Sequence, residues 1–95
     1  MYNYFMLMGR TLEKPKIEEF EDGKKKCVIK LKVIRPFSVD NGNGEADVFN
    51  VTFRDYTTFL IEDSNLKKGS PIVIKGRMES NEQGIELIGE RIMFF

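Results

Sequence analysis

Lys30 and Lys32 recur at a period of two, with Arg35 just beyond them and the proline-flanked ring of Phe37 next along the chain. Residues two apart on an extended strand share a face, so the two ammonium groups stand side by side. Cations beside an aromatic ring are the elements of a groove for a single-stranded polyanion. There the charges track phosphates and the ring stacks a base, for about 1–3 kcal/mol per stack. The same residues also fit an ordinary solvated sheet face with Phe37 tucked under a loop. Lys24-Lys25-Lys26 and Lys67-Lys68 flank glycine turns, where such clusters commonly serve solubility and can also meet phosphate.

Other chemistries are excluded by count. The 95 residues contain no His and one Cys, which rules out a His/Cys zinc site, a Ser-His-Asp triad, a Cys-His dyad and an internal disulfide. Cys27 lies in the apolar run Cys27-Val28-Ile29 and reads as a buried, reduced thiol, which suits a cytoplasmic protein. The acidic pairs Glu18-Glu19, Glu21-Asp22 and Glu62-Asp63 are sequence neighbours, and neighbours on a strand or helix do not face each other, so no catalytic carboxylate pair is drawn from them. Gly42 and Gly44 lack the third glycine and the following helix of a phosphate-binding loop. Neither an enzyme nor a cofactor is therefore expected. The uncharged stretch from Met1 to Gly9 is too short for a membrane span and lacks the basic region and cleavage site of a signal peptide.

The elements that position these residues follow from hydrophobic periodicity. The length sets one domain, residues 1–95. Tyr4 to Arg10 reads as a first strand, and Lys16 to Phe20 as a short edge segment leading to the turn Glu21-Asp22-Gly23-Lys24. From Lys26 to Arg35, Cys27, Ile29, Leu31 and Val33 alternate with Val28, Lys30, Lys32 and Ile34, so one face is buried and a mixed basic and apolar face is exposed. The loop Asp40-Asn41-Gly42-Asn43-Gly44 leads to a third main strand, in which Asp47, Phe49, Val51 and Phe53 face inward while Val48, Asn50, Thr52 and Arg54 look out. A helix is predicted over Tyr56 to Asn65 with Asp55 as its N-cap, then strands over Ile72 to Glu79 and Ile85 to Phe95, joined by the turn Asn81 to Gly84, with a bulge at Gly89. Five main strands with one short helix between the third and fourth is the layout of an all-β OB-fold, a five-stranded Greek-key barrel; a flat α+β sheet is the alternative. Such a barrel presents a groove across strands two and three, which is where Lys30, Lys32, Asn50, Thr52 and Arg54 fall.

Fifteen Lys plus Arg balance fifteen Asp plus Glu, so any polyanion must be met by local charge. The acidic residues gather in turns and on the helix, at Glu18 to Asp22, Asp40 to Asp47 and Glu62-Asp63. That leaves Lys30, Lys32 and Arg54 on the outer face with no carboxylate expected between them, and a binder weaker and more salt-sensitive than a strongly basic domain.

Five blocks in order carry a family resemblance: Phe5-Met-Leu-Met-Gly-Arg10 with Pro15; Cys27-Val-Ile-Lys-Leu-Lys-Val33 with Arg35-Pro-Phe37; Asp47-Val-Phe-Asn-Val-Thr52; Leu66-Lys-Lys-Gly-Ser-Pro71; and Ile74-Lys-Gly-Arg77. Together they resemble the bacterial single-stranded DNA-binding protein family over essentially the whole chain. The resemblance implies an OB-fold that binds single-stranded DNA without base specificity in replication, recombination or repair. It also implies a homodimer paired through the first strand, or a homotetramer built on it. It puts a base-stacking aromatic at Phe37 and two more on the outer face of strand three, where this chain has Val48 and Arg54 instead. The family's long basic and aromatic hairpin shrinks to Asn81-Glu82-Gln83-Gly84. Its acidic C-terminal recruiting tail is expected to be absent, as in a short paralogue from a phage or mobile element, because the sequence stops at Met93-Phe94-Phe95. The residues expected to bind nucleic acid are Tyr4, Arg10, Lys30, Lys32, Arg35, Phe37, Asn50, Thr52, Arg54, Lys75 and Arg77, with no metal. The competing reading is an OB-fold that has lost strong DNA binding and serves as a protein-interaction module or as an accessory replication or conjugation factor. It is separated from the first by whether Lys30, Lys32, Arg35 and Arg54 form one stripe or are neutralised by acidic neighbours.

Overall fold

The computed structural model describes residues 1–36 and 45–94, apart from the side chain of Tyr56. Phe37 and the loop at Asp40 to Gly44 lie outside the described residues, so the stacking expected of Phe37 has no structural counterpart here. The chain runs β1 (Phe5–Thr11), β2 (Lys16–Glu19), β3 (Lys25–Ile34), β4 (Ala46–Arg54), a 3-10 turn (Asp55–Thr58), α1 (Phe59–Glu62), β5 (Pro71–Asn81) and β6 (Gly84–Phe94). One sheet takes the order β1-β5-β6-β4-β3-β2, and a further β1–β3 pairing closes five of these strands into a barrel, with β2 as a short outer strand on β3. A brief parallel contact, Val51 with Leu87 and Thr52 with Ile88, joins β4 to β6; all other pairings are antiparallel. This is the OB-fold expected from the sequence, and closure excludes the flat sheet.

The core follows the predicted alternation. Cys27, Ile29 and Leu31 of β3, Val51 and Phe53 of β4, and Ile72 and Ile74 of β5 fill the barrel, while Ile61 of α1 and Leu66 pack against the same cluster. Each large side chain so buried contributes about 1.5–3 kcal/mol. Two glycines allow the close approaches that closure requires. A Cβ on Gly9 would fall 2.2 Å from the carbonyl oxygen of Lys32, where β1 crosses β3, and one on Gly89 would fall 2.3 Å from the Phe53 ring. The expected bulge is present: Lys75 opposes Arg91 and Gly76 opposes Gly89, leaving Glu90 as the extra residue of β6.

The helix is shorter than predicted, and Asp55 does not cap it. Asp55 adopts a left-handed backbone with φ 53°, and Thr58 holds the N-cap position of α1 without a side-chain capping bond. The Thr57 hydroxyl donates to the Arg54 carbonyl at 2.6 Å and the Thr58 hydroxyl donates to the Asp55 carbonyl at 2.8 Å. Adjacent threonines bonding back to carbonyls three residues earlier compete with α-helical pairing and favour a tighter 3-10 turn.

Candidate nucleic-acid interface

On the outer face of β3, pleating presents Val28, Lys30, Lys32 and Ile34 in succession, about 6.6 Å apart along the strand. Register then sets what lies beside each one. Lys32 opposes Arg10 of β1 on one side and Val48 of β4 on the other, Lys30 opposes Asn50, Val28 lies between Lys16 and Thr52, and Lys26 lies between Glu18 and Arg54. Directly opposed residues on a sheet face have Cβ atoms about 4.5–5.5 Å apart, so Arg10 stands beside Lys32; with Lys30 next along β3 and Lys26 beyond Val28, where Glu18 faces it, they form one band of cations along the strand. Exposed Val28, Ile34 and Val48 lie among them as apolar ground. None of the described ion pairs engages Lys30 or Lys32. Arg10 donates to the Gly69 carbonyl at 3.0 Å, which holds it beside the Lys67–Ser70 turn.

Four of the expected residues stand differently. Thr52 is buried, because β6 closes over β4 at the Thr52–Ile88 pairing, so it offers no surface to a ligand. Arg35 does not extend the Lys30–Lys32 row. It shares the parity of Val33, whose partner is Asp47, and its guanidinium grips the Asp47 carboxylate at 3.0 and 2.7 Å and also reaches Glu45. The hydrogen bond from Arg35 holds the Asp47 carboxyl below the ordinary carboxylate range, against the opposing effect of desolvation. Arg54 and Arg77 are also engaged by carboxylates. Arg54 binds Glu79 at 3.0 Å and Glu86 at 3.2 Å, and Arg77 binds Glu79 at 2.5 Å and Glu90 at 3.1 Å. Hydrogen bonds from Arg77 and then Arg54 hold the Glu79 carboxyl low as well. The expectation that no carboxylate interrupts the basic face therefore fails at Arg54. The β5–β6 hairpin brings Glu79 and Glu86 to it, from strands that alternation within β3 and β4 could not place.

Tyr4 and Lys75 lie in a separate location. They line a shallow depression with Tyr2, Asn3, Gly76, Glu90 and Arg91, over the outer face of β5 and β6. The Asn3 amide donates to the Met78 carbonyl at 2.6 Å while its oxygen accepts from the Met78 N–H at 2.9 Å, which ties the N-terminal segment to β5. The Tyr2 and Tyr4 rings lie 5.9 Å apart in a tilted pair. The structure places Lys26, from the cluster that can meet phosphate, on the outward parity of Lys30, and adds Lys16, Tyr2 and Arg91 to these faces, whose positions depend on how the strands are joined.

Among the described residues no cluster of His, Cys, Asp and Glu could hold a metal ion, and no helix is long and apolar enough to cross a membrane. Cys27 is buried and its thiol is pushed up to about 11, chiefly by desolvation. The model of the Single-strand binding protein family matches residues 2–91. Comparison with individual curated proteins gives no match.

Proposed function

Because the chain belongs to the single-strand binding protein family, whose members bind single-stranded DNA rather than catalyse a reaction, we propose that it holds single-stranded DNA without base specificity along the band Arg10, Lys26, Lys30 and Lys32. The observation that carries this reading is the pairing of Lys30 with Asn50 and of Lys32 with Arg10 and Val48, cations and uncharged side chains set on one sheet face. Phosphates follow the cations, and Phe37 supplies the base stack that the family resemblance assigns to it. Arg35, Arg54 and Arg77 act as structural pairs before they act as phosphate ligands. The protein thereby supports replication, recombination or repair in the cytoplasm. Fluorescence titration with oligo(dT) at several salt concentrations tests the reading. Binding that weakens linearly on a log–log plot is expected, with a slope of about −0.7 per phosphate neutralised; no binding at low salt would rule it out.

A homodimer accompanies this role. β1 pairs with β5 from Phe5 to Arg10 but with β3 only at Arg10 and Thr11, so much of its second edge has no strand partner among the described pairings. Exposed Met6 and Met8 stand on that strand. Edge pairing across a two-fold axis would cover this backbone, and light scattering should give twice the 11.0 kDa chain mass or a higher multiple. A second reading, an interaction module with weakened DNA binding, draws on the neutralised Arg35, Arg54 and Arg77 and is separated by the same titration.

A further inference from the structure

Five charged side chains on β4, β5 and β6 are linked in one chain: Glu86 to Arg54, Arg54 to Glu79, Glu79 to Arg77, and Arg77 to Glu90. Three carboxylates and two guanidiniums leave the chain one negative charge in excess. Glu79 is its centre, with Oε1 on Arg54 at 3.0 Å and Oε2 on Arg77 at 2.5 Å. The network abuts the basic band, since Arg54 lies opposite Lys26 across the β3–β4 ladder. The side chains of Arg54, Arg77, Glu79 and Glu86 are between 28% and 41% exposed, so they can be reached by a ligand and are better held than a lone pair in water.

We infer that Glu79 limits the affinity and footprint of single-stranded DNA on this face by occupying both Arg54 and Arg77 within a chain that carries one carboxylate in excess. The inference rests on the reading that the Lys26–Lys30–Lys32 band holds the strand. A phosphate approaching Arg54 or Arg77 must displace a carboxylate that is already charge-assisted and well placed. Exchanging one anion for another on a guanidinium neutralises no additional charge, so these arginines add little to the salt-dependent part of binding. The one carboxylate in excess within the chain repels a phosphate at that point. A strand following the lysines therefore ends its contact at Arg54 instead of continuing over β6 and β5.

Glu79→Gln keeps the shape of the side chain and makes the network neutral; Glu79→Gln with Glu90→Gln makes it positive by one and releases Arg77. The probe is fluorescently labelled oligo(dT) titrated at low and moderate salt, with the occluded length measured by stoichiometric titration on poly(dT). Removing one unit charge a few ångströms from a phosphate in water corresponds to about a fivefold change in binding constant, so Glu79→Gln should bind about fivefold more tightly. The double variant should also steepen the salt slope by about 0.7 and lengthen the occluded site. Glu62→Gln, which removes the same charge from the Lys25–Glu62 pair, should raise affinity less than Glu79→Gln does. Circular dichroism and urea midpoints establish that the variants are folded, and Glu90→Gln alone carries the test if Glu79→Gln is not. Wild-type binding with no gain in affinity, slope or site length in the variants overturns the inference alone. Failure of every protein to bind oligo(dT) at low salt overturns the binding reading and the inference with it.

Discussion

Substituting Gly89 by Ala should destabilise the barrel through a single contact. The added Cβ would fall 2.3, 2.5 and 2.7 Å from three carbons of the Phe53 ring, which is itself fully buried. Ordinary carbon–carbon contacts lie at about 3.5–4.0 Å, so the ring or the β6 backbone must move by roughly 1 Å or more. Overpacking of this kind costs about 1–3 kcal/mol, which for a domain of this size lowers Tm by roughly 5–20 °C. A double-mutant cycle isolates the cause. Phe53→Leu alone should also destabilise, because it leaves unfilled volume in the core. Combined with Gly89→Ala it should cost less than the sum of the two singles, by about 0.5–3 kcal/mol, since the methyl occupies part of the space the ring vacated. Urea denaturation at fixed protein concentration measures all four proteins. An undisturbed Gly89→Ala variant, or strictly additive singles, would refute the packing account of β4 against β6.

Two further outcomes follow from titratable groups. The Asp47 and Glu79 carboxyls have folded-state pKa values below their ordinary range, so the stability they contribute is present above the ordinary carboxylate range, from about pH 5 upward, and is lost as pH falls through that range to the lower folded values. Asp47→Asn should therefore flatten the acid limb of urea midpoint against pH, and a limb identical to wild type would contradict the Arg35–Asp47 pairing. Cys27, buried with its thiol pushed up to about 11, should resist iodoacetamide at neutral pH in the native protein and react once urea unfolds it; rapid native alkylation would contradict its place in the core.

Alternation within a single strand was enough to place most of the barrel. The in-and-out order of β3 could be read residue by residue from Cys27 to Ile34, and Val51 and Phe53 of β4 entered the core as their spacing required, whereas Phe49 is half-buried outside the core cluster and Asp47, expected inward, pairs with Arg35 at the surface. The bulge at Gly89 was also legible, because a glycine falls in the interior of the final strand there. Local signals failed where two distant strands decide the environment. Thr52 has the parity of an exposed residue but is covered by β6, and Arg54 meets glutamates that lie 25 and 32 residues further along the chain. Arg35 was misplaced for a simpler reason, as its parity follows Val33 and not Lys32. The helix was overestimated because the hydroxyls of Thr57 and Thr58 take up backbone carbonyls at the point where it should begin. Charge arithmetic was similarly incomplete: β5 and β6 carry Lys75, Arg77 and Arg91 against Glu79, Glu86 and Glu90, and the carboxylates that occupy Arg54 and Arg77 were not visible from spacing within β3 and β4.

The proposed function depends on the cations of the outer β3 face to hold single-stranded DNA. The most direct test compares the salt dependence of oligo(dT) binding by the wild-type protein and by Lys30→Ala/Lys32→Ala, after circular dichroism shows both to be folded. With Arg10, Lys26, Lys30 and Lys32 each neutralising one phosphate, the wild-type slope should be about −3, and loss of two of them should bring it to about −1.4 with weaker binding throughout. Wild-type protein that does not bind at low salt, or a double variant whose affinity and slope match the wild type, would contradict the account.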